Sequence, residues 1–301
     1  MRSRQWYHDG GLQARMMLVY FLLGALYLAF MAALWAAGVP VVFIALVAGG
    51  LLFVQYFFSD RLVLASMGAH EVSPEQAPEL HAMIGRLAQQ MDLPMPKVAV
   101  MQTDMANAFA TGRNPKNAVV CVTTGIMNRL DRAELEAVLA HEMSHVKNRD
   151  VQVITIASFF ATIASFIMQW GLWLGIGGRD SEGNNRGAAG VLLVYLASVV
   201  TWIVSFFLIR ALSRYRELAA DRGSAVVTGA PSTLASALVK ISNSMARIPE
   251  RDLREVGALN AFFIVPALKG VSLSELMSTH PSLERRLEQL QRLQRQMEGI
   301  R

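Results

Sequence analysis

Apolar residues along this chain gather into long uncharged blocks as well as short periodic stripes. No charge occurs from Met16 to Ser59. As a single helix that block would be about 66 Å long, roughly twice the hydrocarbon core of a bilayer. It divides better into two spans, Met16–Ala37 and Val41–Phe58, turning at Gly38-Val39-Pro40. Val151–Ile176 and Gly187–Ile209 are two more uncharged blocks, each long enough to cross. Core helices rarely run so far without a charge, so four transmembrane helices in two hairpins are predicted. The run after Arg2, Arg4 and Arg15 is longer than a signal-peptide core and a second span follows it at once. It therefore reads as a retained anchor.

Between the blocks the pattern is that of a soluble domain. Leu80, Ile84 and Leu87 recur at helical spacing, and Pro78 suits a first turn, so Pro78–Met91 is predicted as a helix. Lys97–Gln102 and Ala118–Thr123 read as strands. The turn-rich NAFATGRNPKN between them leaves room for an irregular strand around Asn107–Thr111. Asp131 and Glu134 form a capping-box pattern ahead of a helix through Val146. After the fourth span a helix runs to a stop at Gly229, and Pro231–Ile248 is another. Glu250–Gly270 is mixed, and its AFFIVPAL suits either core or a membrane-facing lip. Pro281–Met297 is helical, with Leu283, Leu287, Leu290 and Leu293 on one stripe. There is no internal repeat.

Composition agrees with this mixture. Of 301 residues, 53% are hydrophobic and 17% charged, too apolar for an ordinary soluble protein. Lys and Arg cluster at one set of span ends: Arg2, Arg4 and Arg15; Lys147 and Arg149; Arg210, Arg214 and Arg216. The first hairpin turn has none, and the second balances Arg179 and Arg186 against Asp180 and Glu182. Both termini and the segment 60–150 are therefore expected in the cytoplasm. The net charge of +5 fits that asymmetry. No basic stripe or motif points to nucleic acid. The single cysteine, Cys121, lies in a strand-like apolar run and reads as core; no internal disulfide can form.

The chemistry begins at His141-Glu142-Met143-Ser144-His145, an HExxH pattern. On a helix, positions i and i+4 share one face, so both imidazoles can reach one metal, and Glu142 can reach a water beside it. A catalytic zinc usually takes a third protein ligand. A metzincin would place a His six residues after His145, where Val151 stands. His8, His70, His81 and His280 are poor candidates for that ligand. Glu217-Leu218-Ala219-Ala220-Asp221 offers a downstream Glu as ligand, and Asp221 one turn later could orient a ligand His. The HExxH helix is expected to run straight into the third span and the fourth span into the Glu217 helix. Two spans return the chain to one side, which can bring Glu217 beside His141 and His145.

With these pieces in place the sequence resembles the HtpX family of membrane-bound zinc metalloproteases, relatives of the CAAX prenyl proteases. The matching segments are NAFATG at Asn107–Gly112, HEMSHVKNRD at His141–Asp150, RELAADRGSA at Arg216–Ala225, LNAFFIVP at Leu259–Pro266 and HPSLERRL at His280–Leu287. The resemblance implies an α+β, mostly helical fold: a gluzincin-type zinc metalloprotease domain with a small β-sheet, anchored by four transmembrane helices. Its expected parts are 1–60 with two spans (about 16–37 and 41–58), 61–150 with the HExxH helix, 151–209 as a membrane hairpin (about 151–176 and 187–209), and 210–301 with the third ligand.

The resemblance further implies one catalytic Zn2+ on His141, His145 and Glu217, with Glu142 as general base and Asp221 in support. His280 resembles the family's distal histidine that supports the oxyanion, and Arg286 its helix-borne partner, with Arg285 adjacent. Asn107, Ala108, Phe109 and Ala110 would pair with an extended substrate backbone. The implied function is endopeptidase quality control of damaged membrane proteins with cytoplasmic segments, under stress, in the bacterial cytoplasmic membrane. Three other readings compete. A site-2-type intramembrane protease needs its HExxH inside the apolar block, whereas Lys147, Arg149 and Asp150 separate the two here. A non-catalytic membrane adaptor would not need every catalytic position filled. CAAX-type processing enzymes usually have more spans.

Overall fold

The structure, a computed structural model, describes residues 10–39, 68–170, 186–245 and 280–299, with isolated helical positions between 42 and 57. The chain divides into two units. One is built mainly from Phe58–Gln152 and Ser213–Arg301, the other from Gly10–Phe57 and Val153–Leu212.

The first unit is organised on a four-stranded sheet. Its strands are β1 (Ala69–Glu71), β2 (Lys97–Met101), β3 (Ala108–Thr111) and β4 (Val119–Thr123), in the order β1-β2-β4-β3. β2 and β4 are parallel, with Ala99 opposite Cys121; β1 and β3 pair antiparallel on either side. Val98, Val100, Val120 and Val122 enter the main core. Ala99, Phe109, Val119 and Cys121 form a smaller apolar layer. β4 is buried along its whole length, which explains its unbroken apolar run. β1 was not foreseen: its AHE carries little apolar signal, and its pairing with β2 creates it.

Helices close the main core. Among the helices of this unit, α2 (Pro78–Met91) contributes Leu80, Ile84, Leu87 and Met91, all buried. Burial of each such side chain stabilises by about 1.5–3 kcal/mol. α3 (Thr124–Arg129) is a short connector capped by the Thr123 hydroxyl. α4 (Arg132–Lys147) begins at the full Asp131–Glu134 capping box. Glu134 also accepts hydrogen bonds from Ser236 and Lys240 of α7 (Pro231–Met245), each 2.7 Å. α8 (Leu283–Met297) is capped by Ser282 and buries Leu290 and Leu293 in the same core.

α4 does not run straight into the next helix, contrary to the reading of the sequence. It ends at Lys147, Arg149 takes φ +57°, and α5 (Asp150–Trp170) starts afresh. The break turns Asp150 back towards His145, with which it pairs at 2.6 Å. α6 (Arg186–Thr228) is, by contrast, one helix of 43 residues that carries both an apolar stretch and Glu217. It stops at Gly229, whose φ of +70° suits glycine.

In the second unit, α1 (Gly10–Ala36) buries Val19, Leu23, Tyr27, Phe30 and Leu34 and exposes Met17, Phe21, Leu28 and Trp35. Tyr27 stacks on Phe160 of α5 and donates a 2.5 Å hydrogen bond to the Ala157 carbonyl. α1 ends at Gly38, φ +73°, where the amides of Gly38 and Val39 bond back to Trp35 and Leu34. Among the described residues three helices are long and apolar enough to cross a membrane: Gly10–Ala36, Asp150–Gln169 and Gly190–Thr228. Four spans were expected. The other, Val41–Phe58, lies mostly outside the described residues, as do 171–176 of the third and the expected turn 177–185. The LNAFFIVP segment and the mixed stretch around it also lie outside them.

Candidate active site

The site is assembled from three helices of the first unit and the residues beside them. His141, Glu142 and His145 stand on α4, Glu217 and Asp221 on α6, and Arg286 on α8. His141 Nε2 lies 3.2 Å from His145 Nε2 and 3.6 Å from Glu217 Oε2. His145 Nε2 lies 3.3 Å from Glu217 Oε1. The other nitrogen of each ring faces a carboxylate: His141 Nδ1 is 2.9 Å from Asp221, and His145 Nδ1 is 2.6 Å from Asp150. A ring that donates from Nδ1 presents a lone pair at Nε2. Two imidazole lone pairs and a carboxylate therefore converge on one point.

Such convergence calls for a cation. The three ligand atoms all lie within 4.8 Å of one another. Two ligands on a tetrahedral zinc stand about 3.3 Å apart, and the observed separations cluster around that value. Glu217 Oε2 is buried and accepts no well-aligned hydrogen bond among the described residues, so it has capacity left for a cation. The donor set, two His and one carboxylate, is that of a catalytic zinc site with an open position.

Electrostatics follow from burial and pairing. Burial pushes His141 and His145 down, but hydrogen bonding of His141 with Asp221 and Glu217, and of His145 with Glu217, outweighs it and lifts both rings above the ordinary range. Burial would raise Glu217, yet the neighbouring imidazoles of His280, His141 and His145 hold it well below the usual carboxylate range. Burial raises Glu142 despite the neighbouring rings. Arg286 grips Asp221 with two hydrogen bonds, 2.9 Å from Nε and 2.6 Å from Nη2. Its third nitrogen lies 3.6 Å from Glu217 Oε2. His280 Nδ1 is 3.2 Å from the same oxygen.

Among the described residues no further strand pairs with the outer edge of β3, which runs beside these groups. Thr123 donates to the Asn107 carbonyl, and Asn107 donates to the Thr123 hydroxyl. Antiparallel alternation then turns the amides of Ala108 and Ala110 to the outer edge. Ala110 donates to Glu142 Oε2 at 3.0 Å. An edge with unpaired backbone groups is a template for another strand.

Residues 74–294 match the model of Peptidase family M48. The chain belongs to peptidase family M48. It is 64% identical over 306 residues to a Protease HtpX homolog of Moorella thermoacetica, covering 99% of both chains. It is 56% identical to a Protease HtpX homolog 2 of Methanosarcina acetivorans, covering 98% of this chain and 99% of that relative. The crystal structure of S. mikatae Ste24p shares the fold, with a TM-score of 0.55 at 18% identity over 94% of this chain and 67% of that one. The HtpX resemblance read from the motifs thus holds.

In this M48 chain the structure brings together His141, Glu142, His145, Glu217, Asp221, His280 and Arg286. It separates the two adjacent arginines: Arg286 is buried in the site and Arg285 is exposed. Of the strand residues, Asn107, Ala108 and Phe109 are buried, and Ala110 is half-buried. Histidines set aside as ligands lie elsewhere: His70 is in β1, His81 bonds to the Val72 carbonyl, and His8 is outside the described residues.

Two residues were misread from sequence. Asp150 and Arg216 were taken as interface charges, but both are buried and ion-paired to each other, and Asp150 holds His145. The signal was available: a metal-ligating His needs a partner on its second nitrogen, and Asp221 can serve only one of two rings.

Proposed function

We propose that this chain is a membrane-anchored zinc endopeptidase. The carrying observation is the convergence of His141, His145 and Glu217 at metal-ligand spacing, with Glu142 reaching the outer edge of β3. Held by those three residues, zinc would supply a Lewis acid and a water acidified towards neutral pH. The chain's own groups do the rest. The edge amides and carbonyls of Ala108–Ala110 align an extended peptide as an added strand. Glu142, buried and raised, takes the proton of the attacking water and returns it to the leaving amine. Asp221 and Asp150 fix the ring tautomers, and Arg286 and Arg216 fix those carboxylates in turn. His280 supports the oxyanion from the side of Glu217.

The reading extends to the setting. The protease unit and both termini lie in the cytoplasm, at the bacterial cytoplasmic membrane, and the substrates are damaged membrane proteins with cytoplasmic segments, cleared under stress. Its support is the Lys and Arg bias at the span ends and the long identity with proteins named HtpX homologs.

Casein cleavage by the detergent-solubilised protein tests the chemistry. Zinc-dependent cleavage is expected, lost to background in Glu142→Ala. Absence of zinc-dependent cleavage, with Glu142→Ala indistinguishable from wild type, would reject the protease reading.

A further inference from the structure

A groove of about 470 Å3 runs between α5 and α6 within the second unit. Ser158, Thr162, Ser165 and Gln169 of α5 line one wall, and Trp202, Phe206 and Arg210 of α6 line the other. The four polar positions follow i, i+4, i+7 and i+11, so they form one seam along a helix face. The seam is about 16 Å long, roughly half of a bilayer's hydrocarbon core. It lies on a helix long and apolar enough to cross a membrane.

Elsewhere the exposed helix faces of this unit are apolar. α1 exposes Met17, Phe21, Leu28 and Trp35, and α6 exposes Leu192, Leu196, Val200 and Ile203. α5 is arranged the other way round. Its Ile163, Ala164 and Ile167 are buried in one cluster with Phe30, Leu34 and Val194, while its polar residues face the groove. Thr162 and Gln169 are exposed there. Acyl chains offer such groups no partner, and an unmet polar group in hydrocarbon is costly.

The hydrogen bonds within the seam leave capacity of both kinds. Thr162 donates its hydroxyl to the Ser158 carbonyl at 3.0 Å, so its oxygen can still accept. Gln169 donates from Nε2 to Ser165 Oγ at 2.9 Å, so the Ser165 hydroxyl can still donate. The Gln169 carbonyl and its second N–H bond to nothing among the described residues. On the opposite wall the Arg210 guanidinium stacks on the Phe206 ring of its own helix, 3.3 Å from the centroid. An occupant that satisfies the seam must therefore donate and accept from within a membrane span. A carboxamide does both.

We propose that this groove seats a transmembrane helix of the substrate and selects a helix that exposes Asn or Gln within its span. This rests on the reading of the chain as a membrane protease, and it adds how a damaged membrane protein is told from an intact one. In an assembled membrane protein, polar side chains of a span face the interior of their own bundle. A helix that has lost its partners exposes them, and the α5 seam supplies replacement hydrogen bonds across the helix pair.

The test uses the full-length Glu142→Ala protein in liposomes and dansyl-labelled peptides with one leucine-rich span and a polar tail. The middle of the span carries Asn or Leu. Binding is read as energy transfer from the protein's tryptophans, and cleavage of the tail is read with wild type and zinc. The Asn peptide is expected to bind about fivefold tighter than the Leu peptide. Thr162→Val combined with Gln169→Leu brings that ratio to near one, while an unchanged affinity for the Leu peptide shows that the fold is kept. A cysteine beside the Asn should cross-link under oxidation to Thr162→Cys and not to Phe21→Cys on the exposed face of α1. Equal binding of the two peptides, or a ratio unmoved by the double variant, overturns the assignment. So does a Thr162→Cys protein that cross-links only to a second copy of itself, which makes the groove an interface between copies. A Thr162→Cys protein that cross-links to nothing also overturns it, because lipid or another part of the chain then fills the groove. Asn preference in binding without tail cleavage by wild type keeps the groove assignment and removes the protease reading. Tail cleavage without Asn preference does the reverse.

Discussion

At the scale of single residues, the proposed zinc site separates groups that would touch a metal from groups that hold those groups. Glu217→Ala removes one of three ligands, so purified protein should lose bound zinc, measured as metal per chain; unchanged content would remove Glu217 from the ligand set. Asp150→Asn keeps the size of the side chain but weakens its hold on His145. A supporting carboxylate of this kind is worth about 10–100-fold in metal affinity. Zinc titration of Asp150→Asn should show a loss of that order, and wild-type affinity would show that the Asp150 contact with His145 does not support metal binding. The clustering of His141, His145 and Glu217 beside Glu142 was legible because HExxH and ExxxD set helical spacing. Asp150 and Arg216 were not, because the turn that brings Asp150 back to His145 is made by a left-handed Arg149 with no glycine or proline to announce it. Cys121 was legible as core. Burial pushes its thiol up to about 12, so a maleimide should leave it unmodified in the folded protein and label it fully after denaturation.

At the scale of elements, α4 carries the reacting groups and its position is tied at both ends. Asp131 and Glu134 cap its start, and Glu134 also binds α7 through Ser236 and Lys240. The Ser224 hydroxyl of α6 bonds to the Ala137 carbonyl at 2.6 Å. Lys147 at its end donates to the Met91 carbonyl of α2 at 2.7 Å. Glu134→Ala removes half the capping box and two further hydrogen bonds, so a loss of about 1–3 kcal/mol is expected in detergent unfolding. A change within about 0.5 kcal/mol would show that the buried network is not coupled to stability. Helices with strong periodicity or caps, such as α2 and α4, follow directly from local pattern. β1 and the break after Lys147 do not, because partners far along the chain create them: β2 pairs with β1, and Asp150 pairs with Arg216. The short α3 escaped for a related reason, since its start depends on the Thr123 hydroxyl at the end of a buried strand.

At the scale of the whole molecule, the proposed membrane setting is testable from the helices that would cross the bilayer. The exposed faces of α1 and of the apolar stretch of α6 carry Phe21, Leu28, Trp35, Leu192 and Val200. Apolar exposure of this extent suits lipid and not water. The orientation proposed from the Lys and Arg bias would put the segments carrying His141 and Glu217 in the cytoplasm and residues 177–186 outside. Cysteine labelling in whole bacterial cells tests this cleanly, because the wild-type chain has only the inert Cys121 as background. Ser181→Cys should react with a membrane-impermeant maleimide in intact cells. Glu288→Cys, at an exposed position of α8, should react only after the cells are opened. The opposite pattern would invert the orientation and put the candidate active site outside the cell, where cytoplasmic segments of membrane proteins could not be its substrates. Labelling of both positions in intact cells would mean that the apolar helices do not form the two expected hairpins.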